Sequence, residues 1–181
     1  MTRRRQLLVL LPALLAACTA TRPEPPVRRW NGRVTLQMRT PSEQRAEAFG
    51  YRLSQREDEY TLTLLGPLSG VAARVTAGRG GAVLERANEP DVRAADSGEL
   101  MRGIFGFSLP VEMMVSWLDG RPWKDAAFLR LPDGSFEQAG WGVLPQRPDE
   151  RGLPSVVRLR RTGAPGEPSL NILLTVARPA A

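Results

Sequence analysis

Apolar and polar side chains alternate along most of this chain, beginning at Trp30. Val34, Leu36 and Met38 share one face, and Arg33, Thr35, Gln37 and Arg39 take the other, which is the two-residue period of a half-buried strand. Phe49, Tyr51 and Leu53 repeat the pattern, as do Tyr60, Leu62 and Leu64 set against Thr61 and Thr63, then Val71, Ala73 and Val75. A weaker stretch over 82–86 follows the Gly80-Gly81 turn. Later come 128–131, 135–143, 155–161 and 170–176, the last placing Leu170, Ile172, Leu174 and Val176 on one face. Pro132-Asp133-Gly134 and Gly163-Ala164-Pro165-Gly166 supply turn chemistry between them. About nine strands at such short spacing predict a mainly β chain, with antiparallel neighbours in one large curved sheet or barrel.

The period changes in the middle. Asp96-Ser97-Gly98-Glu99 has the form of a capping box, and Leu100, Met101, Ile104 and Phe105 follow as a helical stripe. Pro110 suits the first turn of a second helix and Gly120 its C′ stop. Between them Val111, Met114, Val115 and Leu118 sit at i, i+3, i+4 and i+7, and Met113 and Trp117 widen the stripe. Only Glu112, Ser116 and Asp119 are left for water, so this helix must be covered on more than one side. Two arrangements satisfy that requirement. The helices cover the concave face of the sheet as ordinary core, or helices and sheet enclose an apolar cavity beneath a helical lid. Flexible thioethers, which suit varied acyl chains, weigh slightly toward the second. The wall of such a cavity is expected to hold Phe49, Tyr51, Leu62 and Leu64 from the sheet. From the helices it is expected to hold Met101, Phe105, Val111, Met114, Val115, Trp117 and Leu118.

The N-terminus reads as an address. Arg3-Arg4-Arg5 precedes an apolar run over 7–17 that is broken by Pro12 and ends Leu15-Ala16-Ala17-Cys18. A bilayer span needs roughly 20 apolar residues, so this run has the layout of a secretory signal. The small residues before Cys18 are similar to the lipobox of bacterial lipoproteins. Residues 1–17 are then a lipoprotein signal peptide, and Cys18 is the lipidated N-terminus of the cleaved chain. Several acyl chains at about 0.8 kcal/mol per buried CH₂ anchor stably where one does not. Residues 18–28, with Pro23, Pro25 and Pro26, read as a flexible extended tether, and 29–181 as the folded domain.

Composition narrows the chemistry. All but one of the 25 basic residues are arginine, Lys124 being the exception, and the formal charge is +6 with no histidine and one cysteine. That removes histidine-based nucleophile pairs, histidine metal sites, cysteine clusters and intramolecular disulfides, so no metal and no cofactor is expected. Loss of the signal removes three of those arginines, and the modest charge that remains argues against a nucleic-acid partner.

By its motifs the chain resembles the LolB family, the outer-membrane lipoproteins that take lipoproteins from the periplasmic carrier LolA. The resemblance runs through Arg29-Trp30-Asn31-Gly32-Arg33, Leu64-Leu65-Gly66-Pro67-Leu68-Ser69-Gly70 and Leu109-Pro110-Val111. It continues through Trp117-Leu118-Asp119-Gly120-Arg121-Pro122, Phe136-Glu137-Gln138-Ala139-Gly140-Trp141 and Leu153-Pro154. Two segments depart from it: Leu144-Pro145, where the family continues with an aromatic residue, and the close Ala177-Arg178-Pro179, which leaves the pairing of the last strand open.

The resemblance implies an incomplete, unclosed antiparallel β-barrel with a helical lid around an apolar cavity. It also implies a protruding membrane-insertion loop, here Gly66, Pro67, Leu68, Ser69 and Gly70 with Leu68 at the tip. On the residues alone, Leu68 either folds back onto the core or is held out by the flanking Gly and Pro. The implied partners are a LolA-type carrier, the acyl chains of client lipoproteins and outer-membrane phospholipid, with the protein a monomer. Thr19, where an aspartate commonly signals inner-membrane retention, implies an anchor in the inner leaflet of the outer membrane with the domain facing the periplasm. Arg33 and Arg52 on outer strand faces either meet an acidic rim on the carrier or form a solvated face. Enzyme activity is not expected. A hydrolase reading has Glu57, Asp58, Glu59 and Glu85 as acids but no G-x-S-x-G or S-x-x-K. A lipid-anchored envelope scaffold needs no cavity at all.

Overall fold

In the computed structural model, residues 25–66, 70–163 and 167–178 are described. The alternation at the start of the domain produces two long strands, β1 (Arg28–Arg39) and β2 (Gln44–Arg56), paired from Arg28 opposite Gln55 to Arg39 opposite Gln44. Trp30, Val34, Leu36, Tyr51 and Leu53 turn inward and are buried. β3 (Glu59–Leu65), β4 (Val71–Gly78), β5 (Gly81–Glu85) and β6 (Val92–Ala94) extend the sheet from β2. Two helices follow, α1 (Ser97–Phe105) and α2 (Val111–Trp117). The chain then forms β7 (Phe128–Arg130), β8 (Phe136–Gln138), β9 (Trp141–Pro148), β10 (Pro154–Arg161) and β11 (Ser169–Thr175).

β11 returns to pair with β1, giving one 11-stranded sheet in the order β6-β5-β4-β3-β2-β1-β11-β10-β9-β8-β7. Every pairing is antiparallel. β6 and β7 are the two edges and do not meet, so the barrel is unclosed, and the helices linking them lie across the concave side. Leu170, Ile172 and Leu174 stand opposite Met38, Leu36 and Val34 on one side and Arg161, Leu159 and Val157 on the other. This fixes the pairing of the last strand that the sequence left open.

Two strands differ from expectation. β6 is three residues long, too short to carry a period. The single strand expected over 135–143 is a hairpin, β8 and β9. Ala139 and Gly140 adopt φ 52° and 77°, the doubly left-handed conformation of the tight turn that joins twisted strands. β9 runs on through Leu144-Pro145, beyond the three residues that pair with β8, so its prolines lie where a sheet tolerates a missing donor.

β1 and β11 approach closely at Gly32. A Cβ built on Gly32 falls 1.9 Å from the Thr175 carbonyl oxygen. Tyr51, directly across from Gly32 on β2, donates its hydroxyl to that same oxygen at 3.0 Å. Its ring covers the strand where glycine offers no side chain. Burial holds the Tyr51 hydroxyl well above the ordinary tyrosine range, so it stays a donor.

The helices are capped and stapled. The Asp96 side chain accepts from Glu99 N at 2.7 Å, and the reciprocal bond of the expected capping box runs instead from Ala95 N to Glu99 at 3.0 Å. Ser97 Oγ accepts from Val111 N at 2.9 Å and lies 2.5 Å from the Glu112 carboxylate, tying the two helix starts together. Beyond α2, Asp119 is buried rather than left to water. It accepts from the Trp30 indole at 2.9 Å and from Arg28, with Arg121 at 3.2 Å and Arg178 at 3.6 Å. Arg178 also donates to Pro154 O at 3.0 Å and to Leu118 O. Gln138, 2% exposed, spends its whole amide on neighbours: it accepts from Trp117 Nε1 at 2.9 Å and Trp123 N at 2.8 Å, and donates to Trp123 O and Ala126 O. These groups fasten the helical segment to both halves of the sheet at the end where β1 begins.

Candidate functional site: an apolar cavity under the helices

At the opposite end the sheet and the helical segment part. The inward faces of β1–β5, β10 and β11 and the side chains of α1 and the 105–109 connection enclose a cavity of about 290 Å³. Its floor is alternating strand residues: Val34 and Leu36, Phe49 and Tyr51, Leu62 and Leu64, Ala73, Leu84, Leu159, Ile172 and Leu174. Its roof is Met101, Phe105, Phe107, Leu109 and Met114. Phe105 and Phe107 stand 6.2 Å apart, and Phe107 meets Trp141 edge-on at 6.3 Å, so an aromatic row closes the side toward β9.

Seven of the residues expected from the sequence are in this wall: Phe49, Tyr51, Leu62, Leu64, Met101, Phe105 and Met114. Val111, Val115, Trp117 and Leu118 are a correction. They are buried to 1% exposure or less but stand outside the cavity. α2 sits at the deep end, where Trp117 is tied to Gln138 and the packing is solid, and only Met114 faces the hollow. The wide stripe on α2 is therefore mostly ordinary core, while Met101 and Phe105 of α1 are roof. Sequence reasoning missed Val34, Leu36, Leu84, Phe107, Leu109, Leu159, Ile172 and Leu174, although their strand phase was legible for most of them.

It also missed the charged members of the wall, Glu47 and Arg86. Glu47 is in phase with Phe49 and Tyr51 and stands opposite Leu36. Arg86 continues the inward phase of Ala82 and Leu84 and pairs with Glu89 at 2.6 Å. They mark where the hollow reaches water. Gly66 belongs to the same rim, and its N–H donates to Gly70 O at 2.8 Å, closing the base of the β3–β4 connection. Pro67, Leu68 and Ser69 lie outside the described residues, as does Cys18. Arg33 and Arg52 are exposed on the outer face of β1 and β2. Among the described residues no group of three or more histidine, cysteine, aspartate or glutamate side chains stands close enough to hold a metal ion.

Residues 28–177 match the family model described as outer membrane lipoprotein LolB. An outer-membrane lipoprotein LolB of Ralstonia nicotianae is 30% identical over 189 residues, covering 90% of this chain and 90% of that protein. One from Pseudomonas putida is 40% identical over 94 residues, covering 49% of this chain and 46% of its own length. Among solved structures, a LolA superfamily protein of Nitrosomonas europaea superposes with a TM-score of 0.46 at 8% identity, covering 86% of this chain and 85% of that one.

Proposed function

We propose, from the premise that this chain belongs to the LolB family of outer-membrane lipoproteins, that it accepts the acyl chains of lipoproteins from a LolA-type carrier and inserts them into the outer membrane. The observation that carries this reading is the enclosed hollow, walled by apolar side chains with charge confined to its mouth. Acyl chains crossing water would lose about 0.8 kcal/mol per exposed CH₂, so a mouth-to-mouth transfer between two such hollows avoids the main barrier. Transfer runs downhill when this cavity holds the chains more tightly than the carrier does, and release follows because the bilayer is a better apolar sink still. No bond is made or broken. Cys18 carries the lipid anchor in the inner leaflet, 18–28 is the tether, and the domain faces the periplasm as a monomer.

Leu68 is the insertion tip in this reading. Gly66 and Gly70 are bonded at the base of the β3–β4 connection, and Gly66 stands in the cavity wall, which sets the two ends of the loop at the cavity rim. Lipid burial of one leucine returns about 1.5–3 kcal/mol. The test loads a fluorescent acylated peptide onto the carrier and follows its passage to the full chain and then to liposomes. Leu68→Glu is expected to accept cargo as the parent does and to lose most insertion. Normal insertion by that variant removes the loop from the mechanism, and failure of the parent to accept cargo removes the receptor reading itself.

A further inference from the structure

The inner face of β2 changes character abruptly. Tyr51 and Phe49 are wall, and the next residue in phase, Glu47, is an exposed carboxylate at the cavity mouth. The apolar pattern calls for a hydrophobe here, and a charge on the inward phase is a local inconsistency of the kind that marks function. The neighbouring charges are already matched: Arg86 pairs with Glu89 at 2.6 Å, and Arg45 with Glu43 at 3.2 Å. Among the described residues Glu47 has no ion-pair partner. The mouth therefore presents one uncompensated negative charge beside an otherwise apolar hollow.

We infer that Glu47 is a selectivity gate that excludes amphiphiles with an anionic polar end and admits those whose polar end is uncharged or cationic. The inference rests on the acyl-chain reading of the cavity. An acyl chain seated in the hollow leaves its head group at the mouth, next to Glu47. A cysteine whose chains are held through amide, ester and thioether links brings no charge there, whereas an anionic phospholipid or a fatty acid brings its phosphate or carboxylate against a carboxylate. A receptor standing in a phospholipid membrane needs such a distinction to keep its cavity free for cargo. Arg86, with its charge held by Glu89, shapes the opposite lip without reversing the sign.

The test uses the full chain in phosphatidylcholine nanodiscs and long-chain alkyl probes with one photoreactive group, differing only in head: carboxylate, uncharged amide or alkylammonium. Half-saturating concentrations are read from crosslinking to the protein. The carboxylate probe is expected to bind about tenfold more weakly than the amide probe, a gap that shrinks as salt rises. Glu47→Gln is expected to bring that ratio to about twofold, and Arg86→Gln to widen it. Equal labelling by all three heads, or a ratio that Glu47→Gln leaves unmoved, overturns the gate. Absence of labelling by the amide probe overturns instead the acyl-chain reading beneath it.

Discussion

Ala73→Phe separates a hollow interior from a filled one by the sign of a stability change. Ala73 lies on β4, inward and 7% exposed, in the cavity wall opposite Leu64. In a filled core an added ring forces off-rotamer side chains and costs about 1–3 kcal/mol. Here the ring enters a space of about 290 Å³. Burying roughly 100 Å² more apolar surface at about 25 cal/mol per Å² contributes up to about 2.5 kcal/mol. Ordering the ring removes about 1 kcal/mol of that, leaving a net gain of about 1–1.5 kcal/mol. With a urea slope of about 2 kcal/mol per molar, the midpoint moves up by about 0.5–0.8 M, followed by the fluorescence of Trp30, Trp117 and Trp141, all buried. The same variant loses binding of an uncharged acyl probe, because the ring occupies its place. A midpoint that falls by 0.5 M or more, as the about 1–3 kcal/mol of overpacking requires, refutes the hollow.

Two further substitutions test the frame that holds the cavity open. Gly32→Ala, whose methyl group would lie 1.9 Å from Thr175 O, is expected to cost at least about 2 kcal/mol by parting β1 from β11. The same change at Gly103, where nothing lies within 4 Å, is expected to gain up to about 1 kcal/mol in α1, so equal urea midpoints for the pair would contradict the close approach. Asp119→Ala strands the Trp30 indole and removes the counter-charge of the Arg178 side chain, 9% exposed, and is expected to cost about 3 kcal/mol; a thermal midpoint within a degree of the parent would show that the cluster holds nothing together.

How much of this was legible depends on which physical demand a residue meets. Period-two alternation marks the inward face of each long strand, so Phe49, Tyr51, Leu62 and Leu64 were placed in the wall from sequence. Period alone does not say whether an inward side chain meets another side chain or a void. Val115 and Met114 are neighbours on one stripe, yet one is core and the other roof, because Trp117 and Gln138 fix α2 at the solid end. The break at Ala139-Gly140 was hidden because alanine carries no signal for a left-handed φ. Glu47 and Arg86 were visible as charges in an apolar phase, but their meaning depends on the mouth lying at that end of the sheet, which only the fold supplies.

The motifs that mark the family divide along the same line. Trp30, Gly32, Asp119 and Gln138 stand outside the cavity wall, and each satisfies a directional demand: an indole donor for a buried carboxylate, a backbone contact that admits no Cβ, an amide with every atom bonded. Such positions accept one residue type or very few, since the alternative leaves a buried polar group unsatisfied. The wall demands only apolar surface of fitting size, which Leu, Ile, Met or Phe supply in many combinations. Trp30, Gly32, Asp119 and Gln138 therefore hold the barrel half-open, while Leu64 and Leu109, from the same set of motifs, line the hollow. Glu47 belongs to neither group, because it neither satisfies a buried partner nor contributes apolar surface, and that is why a function at the mouth is the explanation its position favours.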